Sequence, residues 1–165
     1  MKIIKLGLIS LIMFGLLITA ISFLFPSHIR VSKAENIGSQ KDSLLPLLLD
    51  ITAWKKWYPG FDTLPFSAVT QAADGSSATV KNVRINVVRS TDGAEAIFKQ
   101  EGKEPILQHW RIVPHGSPDS VTVQWYTDIH LRWYPWEKFS SLLFERRYGS
   151  VIETGLSSLK SLAEK

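Results

Sequence analysis

The apolar positions change period twice along the chain: an unbroken run at the amino terminus gives way to alternation, and alternation gives way to a repeat near 3.6. The run, LGLISLIMFGLLITAISFLF from Leu6 to Phe25, holds no charge. It matches the ~20 residues an α-helix needs to cross the hydrocarbon core of a bilayer. Ser10, Thr19, Ser22 and two glycines are its only interruptions, too few for the polar face of an amphipathic core helix. A cleavable secretory signal is the competing reading. It calls for an apolar stretch of only about 7–15 residues and a small-residue cleavage site. Ile18-Thr19-Ala20 is a poor site, and the run continues through it. The pattern therefore predicts an uncleaved single-pass anchor with a short linker over 1–28, and one domain over 29–165. Lys2 and Lys5 precede the run, and Arg30 and Lys33 follow it. With so short a leading segment, the positive-inside tendency puts the amino terminus in the cytoplasm and the domain outside it.

Ile29 to Ile37 alternates as a first strand, and Gly38-Ser39 breaks it. Ser39 with Asp42 resembles a helix N-terminal cap. The segment KDSLLPLLLDITAWKKWYPG reads as one or two short helices, with Pro46 either in the first turn of a helix capped at Ser43 or at a kink. Between Phe66 and Trp133, turn chemistry recurs at Asp74-Gly75-Ser76-Ser77, Asp92-Gly93, Glu101-Gly102-Lys103 and Pro114 to Pro118. Connections this short forbid helical crossovers and predict an antiparallel meander. In its clearest strand, Ser120 to Trp133, one face holds Val121, Val123, Trp125, Thr127, Ile129, Leu131 and Trp133; the other holds Gln124, Tyr126, Asp128, His130 and Arg132. The strand before it, from Pro105 to Val113, sets Ile106, Gln108, Trp110 and Ile112 against His109 and Arg111. After Pro135 one long helix is predicted to the end, with Phe139, Leu142, Leu143, Ile152, Leu156, Leu159 and Leu162 on its apolar stripe. Gly149 and Gly155 inside that helix are expected where its backbone nears the sheet.

Composition narrows the function classes. Once Lys2 and Lys5 are set aside, 17 of the 19 basic residues remain against 15 acidic ones, a net of +2 that argues against nucleic acid as a partner. The chain has no cysteine, so disulfides, thiolate metal sites and cysteine nucleophiles are excluded. His28, His109, His115 and His130 show no metal-ligand spacing, and no phosphate loop, nucleophile elbow or paired-carboxylate motif is present. Neither a metal nor a cofactor is expected. Asp128 and His130, two apart on one strand face, are close enough for a carboxylate to orient an imidazole. They lie opposite the apolar face, and the alternation favours a solvated polar surface there.

A strand, short helices, antiparallel strands and a closing helix follow one another in this order, and three segments carry a family resemblance. They are the leading strand into Gly38-Ser39-Gln40-Lys41-Asp42, the stretch Asp50-Ile51-Thr52-Ala53-Trp54-Lys55-Lys56-Trp57-Tyr58-Pro59, and the closing Tyr148 to Lys160. Over about 29–164 the chain resembles the START-like, or SRPBCC, superfamily, which includes the polyketide cyclase/dehydrase group. The resemblance implies an α+β helix-grip fold: a curved antiparallel sheet around a long C-terminal helix, enclosing an apolar cavity that in many relatives takes a lipid or another hydrophobic molecule. It implies no shared catalytic residue. Pro46 in the first helical segment and the added anchor depart from the basic pattern.

On this reading Trp54, Trp57, Tyr58, Phe61, Trp110 and Trp125 wall and gate the cavity, and Gln108 and Thr127 are polar groups that orient a ligand in it. Large aromatics also dominate ordinary cores, so packing alone explains the same positions. The expected function is a membrane-anchored module that binds a hydrophobic small molecule or lipid. A cyclase- or dehydratase-like enzyme and a non-catalytic protein-interaction domain stay open beside it; the absence of a catalytic motif weighs against the enzyme.

Overall fold

A computed structural model describes residues 2–165; Met1, the first residue of the expected anchor, lies outside the described residues. Helix α1 (Lys2–Ser22) is followed by strand β1 (His28–Ile37), helix α2 (Lys41–Leu49) and a short 3-10 turn (Ala53–Lys56). Six strands come next: β2 (Phe66–Ala72), β3 (Gly75–Val80), β4 (Val83–Ser90), β5 (Gly93–Gln100), β6 (Ile106–His115) and β7 (Ser117–His130). Helix α3 (Pro135–Ser140), a second 3-10 turn (Ser141–Leu143) and helix α4 (Phe144–Ala163) close the chain.

The strands form one seven-stranded sheet in the order β1-β7-β6-β5-β4-β3-β2, with every pairing antiparallel. From β2 to β7 it is the meander the short turns predict. β1 closes on the last strand, Val31 opposite Thr127 and Ile37 opposite Val121. This register sets Val31 and Ile37 on the same face as Val121, Val123, Trp125 and Thr127, where α4 packs through Ile152, Leu156 and Leu159. α2 adds Leu44, Leu45, Leu48 and Leu49 to that core. The Ser76 hydroxyl on β3 accepts the Ile51 N–H at 2.8 Å and donates to the Leu49 carbonyl, tying the helical segment to the sheet.

Several expectations change. The N-cap of α2 is Gln40, with no side-chain cap bond, in place of the Ser39 cap. Pro46 lies inside α2 on its exposed side, where its ring meets solvent while its carbonyl still accepts the Asp50 N–H at 3.0 Å. β7 ends at His130, so Trp133 leaves the sheet and is 65% exposed instead of facing the interior. The closing helix is interrupted. A 3-10 turn advances about 120° per residue against 100° in an α-helix, so Ser141–Leu143 shifts the phase of the stripe. Leu142 and Leu143, at this break between α3 and α4, are exposed, and Lys138 on α3 is buried.

α1 is long and apolar enough to cross a membrane, a property shared by membrane spans and signal sequences. Its side chains from Ile3 to Leu17 are all exposed, so the domain does not cover them.

The two glycines of α4 differ. A Cβ on Gly155 would stand 2.3 Å from Cζ3 of Trp125 and 3.1 Å from the Pro59 ring, whereas one on Gly149 would meet only Lys33 at 3.8 Å. Gly155→Ala is therefore expected to lower stability by about 1–3 kcal/mol through overpacking. Gly149→Ala is expected to raise it by up to about 1 kcal/mol through helix propensity. Urea titration followed by circular dichroism measures both.

Candidate functional site

The eight positions singled out in the sequence meet on the inner side of the sheet. Gln108 pairs with Thr127 and Trp110 with Trp125 across β6 and β7, which sets these four side chains in a two-by-two block on one face. All four are buried. The 3-10 turn and the loop after it lay a second aromatic layer over the block. Trp54 stacks on Tyr58 at 5.0 Å, and Tyr58 stacks on Phe61 at 4.5 Å. Trp57 meets Trp110 and Trp125 edge-on at 6.0 and 5.8 Å, and Trp110 lies 5.2 Å from Trp125. Phe98 on β5, which the sequence reading missed, joins at 6.1 Å from Trp54. The rings touch one another, so the space between sheet and helix is occupied by aromatic side chains.

Hydrogen bonding divides the cluster in two. The outer layer is satisfied: Trp54 Nε1–H donates to the Leu48 carbonyl at 2.9 Å, and Trp57 Nε1–H to the Leu47 carbonyl at 3.0 Å, both near the C-terminal end of α2. Tyr58 donates its hydroxyl to Gln108 Oε1 at 3.0 Å. Burial pushes the Tyr58 phenol far above its ordinary value, so it stays a neutral donor. The inner layer is not satisfied. Trp110 Nε1, Trp125 Nε1 and Thr127 Oγ1 are buried without a protein partner. Each such group costs about 1–3 kcal/mol if it is left unpaired.

The opposite face of the sheet carries charge. Asp128, side chain 12% exposed, accepts two hydrogen bonds from Arg30 at 2.7 and 2.8 Å, with His28 at 3.6 Å and His109 at 3.8 Å. His109 also approaches Glu95 at 3.4 Å and stacks on Tyr126 at 4.6 Å. His130 does not pair with Asp128 but lies on the His28 ring at 4.7 Å. The partner of Asp128 is thus Arg30, 98 residues away and supplied by the β1–β7 register. A depression of about 550 Å³ on this face is lined in part by Arg30, Glu95, His109, Arg111, Gln124 and Tyr126. No group of three or more His, Asp or Glu side chains suited to a metal occurs among the described residues.

No family model matches the chain, and no curated protein matches it in sequence. Solved structures do match in fold. A START superfamily protein from Mycobacterium smegmatis superposes with a TM-score of 0.60 at 18% identity, over 82% of this chain and 97% of that one. A point mutant of norcoclaurine synthase from Thalictrum flavum, in complex with a transition-state analogue, gives 0.59 at 12% identity over 82% and 94%. A Staphylococcus aureus protein of unknown function gives 0.61 at 8% identity over 83% and 94%. At these identities the likeness establishes the fold, which is START-like.

The Arg30 guanidinium holds the Asp128 carboxyl below its ordinary value, chiefly through the paired hydrogen bonds. A depressed folded-state value stabilises the domain above the unfolded pKa, and that stabilisation disappears as pH falls through the folded one. Asp128→Asn is expected to cost about 1–3 kcal/mol at pH 7. The gap to wild type should close as the pH is taken below about 3.9. Thermal melts at both ends of that range measure it.

Proposed function

We propose that this domain binds a small hydrophobic molecule against the inner aromatic cluster while α1 holds it to a membrane as an uncleaved single-pass anchor, with the domain on the extracytoplasmic side. The observation that carries the reading is the set of three buried polar groups, Trp110 Nε1, Trp125 Nε1 and Thr127 Oγ1, that lack protein partners in an interior made mostly of aromatic and aliphatic side chains. Two indole N–H donors and a hydroxyl suit an apolar molecule that carries one or two acceptor oxygens. Trp54, Trp57, Tyr58 and Phe61 form the wall above them. Phe61, Leu64 and Phe66 are half-buried at the edge of this cluster. The norcoclaurine synthase variant holds a transition-state analogue on the same fold, which supports small-molecule binding as a use of this architecture.

The anchor reading rests on the length of α1 and on the solvent exposure of its apolar side chains, which a bilayer would cover. Binding is preferred to general-base catalysis because Tyr58, the titratable group in the cluster, is held neutral by burial. The close packing of the rings favours a second reading, in which the interior is filled and the domain serves protein interaction.

Native mass spectrometry of the full chain released from detergent, followed by organic extraction, separates these readings. We expect a retained small molecule at a reproducible mass. Thr127→Val is expected to weaken its retention about tenfold, the equivalent of one lost hydrogen bond. A clean apo mass that no hydrophobic additive shifts would favour the interaction reading.

A further inference from the structure

The exit of α1 is bolted to the segment between β7 and α4. Past Ser22 the chain continues in hydrogen-bonded turns, with Phe23 N–H donating to the Ala20 carbonyl, Leu24 to Ile21 and Phe25 to Ser22. The buried Lys138 ammonium donates to the Phe25 carbonyl at 3.2 Å and to the Ser27 hydroxyl. Phe139 meets Phe25 edge-on at 5.2 Å, and the Leu131 N–H donates to the Ser27 carbonyl at 2.8 Å. Ser22, at the end of α1, is buried. The segment from Leu131 to Leu143 therefore has a fixed position at the end of the apolar run.

This segment exposes four large apolar side chains, three of which, Trp133, Leu142 and Leu143, the sequence pattern assigned to the interior. Trp133 is 65% exposed, Trp136 67%, Leu142 67% and Leu143 66%. Tyr134 lies between the two indoles, 4.8 Å from each, and stacks nearly parallel on Trp136. Phe23 and Leu24, at the exit of α1, are exposed as well. Arg146 and Arg147 follow as exposed cations on the first turns of α4. An isolated exposed apolar residue is ordinary on a protein surface. A stacked group of Trp, Tyr and Trp with two leucines, fastened to the end of an apolar helix, is a patch. Trp and Tyr favour the boundary between hydrocarbon and water, and the apolar run ends at that boundary when it spans a bilayer.

We propose that Trp133, Tyr134, Trp136, Leu142 and Leu143 form a second membrane contact, which inserts into the interface of the same bilayer that holds α1. This inference rests on the anchor reading, since α1 in the bilayer is what brings the patch to the interface. The domain is then held at two places, by the span and by the aromatic patch, and its orientation to the membrane surface is fixed. The occupant is the bilayer because the patch is continuous with the exit of α1. The Lys138 ammonium bridges the exit of α1 and the segment that carries the patch.

The test uses the full chain reconstituted into vesicles of phosphatidylcholine and phosphatidylglycerol, with and without bromine on the upper acyl chain. Flotation reports whether α1 is inserted, and tryptophan emission reports depth. Of the six tryptophans, Trp54, Trp57, Trp110 and Trp125 are buried in the domain, which leaves Trp133 and Trp136 to be reached by lipid. We expect the protein to float and brominated lipid to quench part of its emission. Trp133→Phe with Trp136→Phe should remove that quenching while flotation is kept. Flotation without quenching, or quenching that survives in the double variant, overturns the second contact and leaves the anchor standing. Failure to float overturns both. Because quenching of the unaltered protein is read first, the test holds even where the double variant folds poorly.

Discussion

The ring of Trp125 occupies the place a side chain at position 155 would take: a Cβ there would stand 2.3 Å from its Cζ3. This contact sets how closely α4 approaches the sheet, and the rest of the domain follows from the separation. α4 can lie low on β7 only because residue 155 has no side chain. Pro59 reaches the same point from the loop, so the aromatic layer of Trp54, Trp57, Tyr58 and Phe61 is held down over Trp110 and Trp125. The layer is stabilised by burial of large rings. Its polar edges are met by carbonyls near the end of α2, whereas those of the inner block are not.

The two faces of the sheet divide the labour. Inside, polar atoms are few and three of them lack partners. Outside, Asp128 is enclosed by Arg30, His28 and His109, and its charge is met by two hydrogen bonds from one guanidinium. That ion pair joins the first strand of the domain to the last. It fastens the edge strand β1 where the chain emerges from α1, and Lys138 and Ser27 fasten the same corner from the other side.

Much of this was legible in sequence because strand alternation reports which side chains share a face, whatever the pairing. Gln108, Trp110, Trp125 and Thr127 could be set on one interior face from period alone, and the structure pairs them directly. The order of elements, read from the same pattern, carried the resemblance to the START-like superfamily, and the resemblance supplied the grip of the sheet on the closing helix. Sequence period says nothing about register, so the pairing of β1 with β7, and with it the Arg30–Asp128 bond, was out of reach. The stripe of the closing helix misled for a local reason. Its phase was carried unbroken from Phe139 to Leu162, whereas the chain breaks at Ser141–Leu143, and Leu142 and Leu143 at the break are exposed. Trp133 was misplaced because alternation continues in the sequence past the last residue that β1 can pair, since His130 is opposite His28 at the strand's start.

The central claim is that the unpartnered groups of the inner block are there for a bound molecule. It is tested most directly by a high-resolution crystal structure of the protein purified without exchange of its natural contents. The account expects density too large for water within hydrogen-bonding distance of Trp110 Nε1, Trp125 Nε1 and Thr127 Oγ1. Density for nothing larger than single waters beside those three groups, or their pairing with protein atoms, would contradict it.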